Sequence, residues 1–208
     1  DAAATAALAV ILGTITLSPC LPAAGSPAAG PASLLEHLDA PLLFVKRYSD
    51  LGIHIYDTYY KWRPGGGIYV LENPVAPPAE RRIRAVIDPT TPGTLGEGVY
   101  SEPDLSWDAD RLLFCFKGKS DGNTSIYEIG IDGAGLRRLT NAASCAESKG
   151  TFKSNHDFAP AYLPDGRVIF TSTRLGGLVP CNNTGVDVLH VMDADGTGIR
   201  QISVNNVN

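Results

Sequence analysis

From about position 42 the chain falls into short apolar runs, each closed by Gly, Pro or Asp. Leu42-Leu43-Phe44-Val45-Lys46, Gly67-Ile68-Tyr69-Val70-Leu71 and Arg82-Ile83-Arg84-Ala85-Val86-Ile87 come first. Pro103 to Ser106, Leu112 to Phe116, Ser125 to Ile129 and Leu136 to Leu139 follow, and then Pro160 to Leu163, Arg167 to Thr171, Val186 to Met192 and Ile199 to Ser203. Runs of this length between turn formers predict β-strands. With 22 Gly and 15 Pro in 208 residues, the chain has the punctuation that many short strands require. The predicted class is all-β.

The pattern repeats. Glu102-Pro103-Asp104-Leu105-Ser106-Trp107-Asp108-Ala109-Asp110-Arg111-Leu112-Leu113-Phe114 returns, one residue shorter, as Ala159-Pro160-Ala161-Tyr162-Leu163-Pro164-Asp165-Gly166-Arg167-Val168-Ile169-Phe170. Downstream, Ile126-Tyr127-Glu128-Ile129 and Asp132-Gly133-Ala134-Gly135-Leu136-Arg137 match Val188-Leu189-His190-Val191 and Asp195-Gly196-Thr197-Gly198-Ile199-Arg200. Asp108-Ala109-Asp110 and Asp165-Gly166 stand between first and second strands, and Asp132-Gly133 and Asp195-Gly196 between third and fourth. Tight hairpins need residues there that tolerate positive φ. Asp193-Ala194-Asp195-Gly196 opens like a calcium loop but lacks the closing bidentate Glu, so it reads as a hairpin.

Four antiparallel strands in this order make one blade of a β-propeller. A blade alone leaves apolar faces that only its neighbours cover. The expected fold is therefore an incomplete β-propeller of about three four-stranded blades: 41–98 a partial blade lacking its inner strand, 99–140 a blade, and 156–208 a blade. A propeller has about four to eight blades, so the expectation is that other protein chains or further blades of the same protein complete the ring.

Residues 1–40 stand apart from the blades. Ala6 to Leu17 is apolar and is followed by Ser18-Pro19-Cys20-Leu21-Pro22-Ala23-Ala24-Gly25, the pattern of a secretory signal and its small-residue cleavage zone. The run is shorter than the roughly 18 to 20 residues that span a bilayer, which leaves three readings open: a signal, an anchor with membrane contact through 6–17, or a segment held against a partner. Residues 22 to 33, rich in Pro, Ala, Gly and Ser, read as a linker. A periplasmic or extracellular location is expected.

A net charge of −5, with Arg81, Arg82 and Arg84 as the only dense positive group, gives nucleic acid no electrostatic footing. The four cysteines show no C-x-x-C, no zinc spacing and no haem-attachment sequence, so neither metal nor covalent haem is encoded here. Cys115, inside a strand, reads as a small buried hydrophobe; Cys145 and Cys181, both in loops, are the candidate disulfide pair. No catalytic residue is assigned: no nucleophile elbow appears, and Glu102, Asp104 and Asp157 are not spaced as a glycosidase pair. Asn123-Thr124-Ser125 and Asn182-Asn183-Thr184 match the glycosylation acceptor pattern.

Two places are candidates for binding. The loop from Tyr48 to Arg63 carries Tyr56, Tyr59, Tyr60 and Trp62, side chains suited to a partner or a sugar-like ligand, or to packing over a blade edge. His156 and Asp157 open an inner strand, near the mouth of a propeller's central channel, where such a pair can orient a ligand or bind a metal, or Asp157 can take a structural turn or capping role. Neighbours on a strand point to opposite faces, which argues against a joint role.

His156-Asp157-Phe158-Ala159-Pro160-Ala161-Tyr162-Leu163-Pro164-Asp165-Gly166-Arg167-Val168-Ile169-Phe170-Thr171-Ser172-Thr173-Arg174 resembles the TolB-type WD40-like propellers. More narrowly it resembles the middle domain of the hydrazine synthase alpha subunit and its relatives, and Pro41 to Val45 with Gly65-Gly66-Gly67-Ile68-Tyr69-Val70-Leu71-Glu72 resembles the entry to that domain. The resemblance implies an extracytoplasmic, multi-domain setting in which haem c, if any, is bound outside this segment. The first functional expectation is a non-catalytic scaffold or protein-interaction module. Its alternatives are part of a multi-haem oxidoreductase and a carbohydrate-binding propeller.

Overall fold

A computed structural model of the chain describes residues 38, 40–48, 62–119, 122–141, 155–178 and 185–204. Within them the chain forms three antiparallel sheets. The first holds β1 (Leu42–Lys46), β2 (Gly67–Leu71) and β3 (Ile83–Ile87) in the order β1-β2-β3. The second is β4 (Val99–Leu105), β5 (Arg111–Lys117), β6 (Thr124–Gly130) and β7 (Arg137–Arg138), again in sequence order. The third is β8 (Asp157–Tyr162), β9 (Val168–Ser172), β10 (Val188–Met192) and β11 (Arg200–Gln201). This is an incomplete β-propeller, and among the described residues the first sheet has three strands to the others' four.

The pleat shows how the sheets stack. Alternate residues of a strand face opposite sides, and every residue of β5 from Leu112 to Lys117 is buried. Leu112, Phe114 and Phe116 join Leu43, Ile68, Val70 and Val86 of sheet one in one core. Leu113 and Cys115 join Tyr162, Val168 and Phe170 of sheet three in another. Sheet two is therefore sealed on both faces by its neighbours. Each such leucine or phenylalanine removed from water contributes about 1.5–3 kcal/mol.

The registers align the sheets residue for residue. Phe44 pairs with Tyr69, Phe114 with Tyr127 and Phe170 with His190 across their second and third strands. In each pair the rings stack, at 5.7, 5.7 and 5.6 Å. Tyr127 is thus the counterpart of His190, one residue displaced from the sequence match that set it against Leu189. The stacked ring, rather than the aliphatic string, is the repeated feature.

The inner strands begin earlier than their apolar runs suggested, at Val99 and Asp157 instead of Pro103 and Pro160. Each is interrupted by a bulge, between Ser101 and Asp104 in β4 and between Phe158 and Ala161 in β8. Proline cannot donate to a ladder, and the residue before each proline, Glu102 or Ala159, sits in the left-handed region with φ of 52° or 46°. The fourth strands of sheets two and three are shorter than predicted, two residues each.

Candidate functional site

The bulges turn inner-strand groups toward the neighbouring sheet. The Ala159 N–H donates to Glu102 Oε2 at 2.8 Å, and the Tyr162 N–H donates to Asp104 Oδ2 at 2.8 Å. Two carboxylates of β4 thus complete the backbone of β8 across the sheet boundary. Burial raises the Asp104 pKa, partly offset by the Tyr162 N–H. Neither carboxylate was assigned this role from sequence. The signal was present in the repeat, where Glu102 and Asp104 are matched by Ala159 and Ala161.

His156 and Asp157 are both buried, and their side chains go separate ways. The His156 Nδ1 accepts from the Thr124 N–H at 3.2 Å, and its ring stacks on Phe158 at 5.7 Å. Accepting at Nδ1 leaves the ring proton on Nε2. Burial, helped by the Lys117 ammonium and opposed by Asp157, pulls the His156 pKa down to about 4. Asp157 instead accepts from Ser172 Oγ at 2.6 Å and from Arg174 Nη2 at 2.8 Å. The Arg174 guanidinium also covers the Phe170 ring at 5.4 Å.

Cys115 lies beside this pair, its thiol 3.7 Å from the Asp157 carbonyl. Burial, reinforced by Glu102, raises its pKa well above the ordinary thiol value, so the sulfur stays protonated and unreactive. Asp187 is pushed up to about 6, by burial first and the Glu102 charge second. A neutral imidazole, a protonated thiol and a carboxylate held by arginine make no relay of nucleophile and base. Among the described residues no group of three or more His, Cys, Asp or Glu is placed to hold a metal ion.

A second polar cluster sits between sheets two and three. Tyr162 Oη donates to the buried Glu128 Oε1 at 2.8 Å, while Arg137 Nε donates to Glu128 Oε2 at 2.6 Å. Arg111 lies 3.7 Å from the same carboxylate and 5.9 Å from the Tyr162 ring centre. Burial and the Glu128 carboxylate drive the Tyr162 pKa upward. Its geometry ties two sheets rather than opening a cleft.

Of the aromatic loop, Trp62 is half-buried. Tyr56, Tyr59 and Tyr60 lie outside the described residues, as do Cys145, Cys181 and the apolar run from Ala6 to Leu17. Among the described residues no helix is long and apolar enough to cross a membrane.

No protein-family model and no curated protein matches the chain. Similar solved structures include a protein described as TolB from Agrobacterium tumefaciens, at 17% identity over 69% of this chain and 42% of that one, with a TM-score of 0.45. TolB from Acinetobacter baumannii follows at 18% identity over 71% and 31%, TM-score 0.44. The Kuenenia stuttgartiensis hydrazine synthase is similar at 15% identity over 86% and 35%, TM-score 0.39. The chain spans less than half the length of each. The likeness concerns fold alone, and the fold is assigned from the chain's own sheets and registers.

Proposed function

We propose that this chain is a non-catalytic β-propeller segment, exported from the cytoplasm, that serves as scaffold or protein-interaction module in a larger protein or assembly. One observation carries the reading: the inner-strand groups with catalytic chemistry are engaged in joining strands and sheets. His156 takes the Thr124 N–H, Asp157 holds Ser172 and Arg174, and the Glu102 and Asp104 carboxylates close the bulge of β8. Groups held this way stabilise a platform and have little capacity left for a substrate. The apolar stretch from Ala6 to Leu17 with its small-residue zone supports export.

Native mass spectrometry of the protein purified from its own host, paired with thermal melts, tests this. His156→Gln is expected to lower Tm while the folded protein keeps the mass of its native assembly. Loss of the assembly or of a bound small molecule at unchanged Tm would contradict the reading.

A further inference from the structure

The sheets are joined by a contact that occurs twice and stands open a third time. Arg84 of β3, Arg137 of β7 and Arg200 of β11 occupy one position, since they pair with Val70, Glu128 and Val191, which pair in turn with Leu43, Leu113 and Ile169. Arg84 Nη1 donates to the Ile131 carbonyl of sheet two at 2.9 Å. Arg137 Nη2 donates to the Ala194 carbonyl of sheet three at 2.8 Å. Ile131 and Ala194 each immediately precede the Asp-Gly turn of the receiving sheet.

The glycine of that turn completes the fit. Gly133 rests on the Val86 carbonyl, 3.2 Å from where a Cβ would stand, and a Cβ on Gly196 would collide with the Leu139 carbonyl. Val86 and Leu139 both lie two residues past their arginine and are buried under the next sheet. Their counterpart in sheet three is Ile202, which is 46% exposed. Ile68 and Ile126, both fully buried, correspond to Leu189, which is 40% exposed. Val191 between them is covered, and Arg200 is exposed.

We propose that this face of sheet three, with Arg200 at its edge, docks a further blade of the same repeat supplied from outside these 208 residues. The blade presents an x-Asp-Gly turn between its third and fourth strands. Its carbonyl before the Asp accepts Arg200, and its Gly seats on the Ile202 carbonyl. A second copy's first sheet does not fit, because Glu72 to Arg82 joins its last two strands through Asn73, three prolines and a 3-10 turn, with no Asp-Gly. The inner-edge carboxylates do not recur either, their places being taken by Ala159 and Ala161, which leaves the arginine as the polar anchor. This names the partner of the module proposed above and rests on that reading.

The test places a photo-crosslinking phenylalanine analogue at Ile202 in the full-length gene product, expressed in its own host, and sequences the crosslinked peptide. The expected peptide lies outside residues 1–208 and contains an x-Asp-Gly turn. Arg200→Gln should cut its yield about tenfold, the worth of a hydrogen bond from a charged group, whereas Arg82→Gln, at an exposed arginine just before β3 in the first sheet, leaves it unchanged. A crosslink to a second copy of residues 1–208, to a sequence without that turn, or to nothing overturns the proposal. Those results leave the scaffold reading standing if the assembly mass survives; loss of the assembly with the crosslink intact does the reverse.

Discussion

His156 and Asp187 are both buried titratable groups, and they bias stability in opposite directions. The unfolded chain protonates His156 near its ordinary value of 6.5, while the folded chain refuses the proton until about 4. Its contribution to stability therefore falls as pH drops from about 6.5 toward 4. Asp187 keeps its proton in the fold up to about 6 but releases it near 3.8 when unfolded, so its contribution falls as pH rises through that window. The two slopes offset one another between pH 4 and 6. Urea melts across this range should show Asp187→Asn unmasking a loss of up to about 3 kcal/mol on acidification, and His156→Gln in that background should flatten it. A flat profile for Asp187→Asn alone would contradict the burial of the imidazole.

At the level of the element, the Asp-Gly turns between third and fourth strands serve as spacers between sheets as well as connectors within them. Gly166 and Gly196 both have positive φ, at 85° and 88°, but only Gly196 backs onto another sheet. Gly166→Ala carries the backbone strain alone, about 1 kcal/mol. Gly196→Ala adds a collision with the Leu139 carbonyl and is expected to cost at least about 2 kcal/mol more in urea unfolding. Equal costs would mean that the turn does not seat on sheet two. The Asp-Gly turns and apolar runs were legible because hairpin and strand chemistry are local. The bulges at Glu102 and Ala159 were not, since the extra residue is visible only once two strands are paired. The same limit hid the carboxylates of Glu102 and Asp104, whose partners lie 57 and 58 residues away. It also displaced the match of β6 to β10 by one position, because Ile126 and Ile129 fall opposite apolar residues of β10 in either alignment.

Across the whole molecule, stability is passed from sheet to sheet. Sheet two has both faces buried, and the joints on either side repeat one geometry, Arg84 to Ile131 and Arg137 to Ala194. Such stacks behave as nearest-neighbour arrays, in which each unit is held by the ones beside it. Sequence repetition made that architecture readable, whereas which face stands open emerged only from the exposure of Leu189, Ile202 and Arg200. The central claim is that inner strands of adjacent sheets lie side by side and are joined by side-chain carboxylates. Amide hydrogen exchange followed by NMR on the 208-residue chain tests it most directly. The Ala159 and Tyr162 amides should be protected, and Glu102→Ala should speed exchange at Ala159 while leaving Tyr162, held by Asp104, protected. Exchange of both amides at open-loop rates in the unaltered chain would contradict the account.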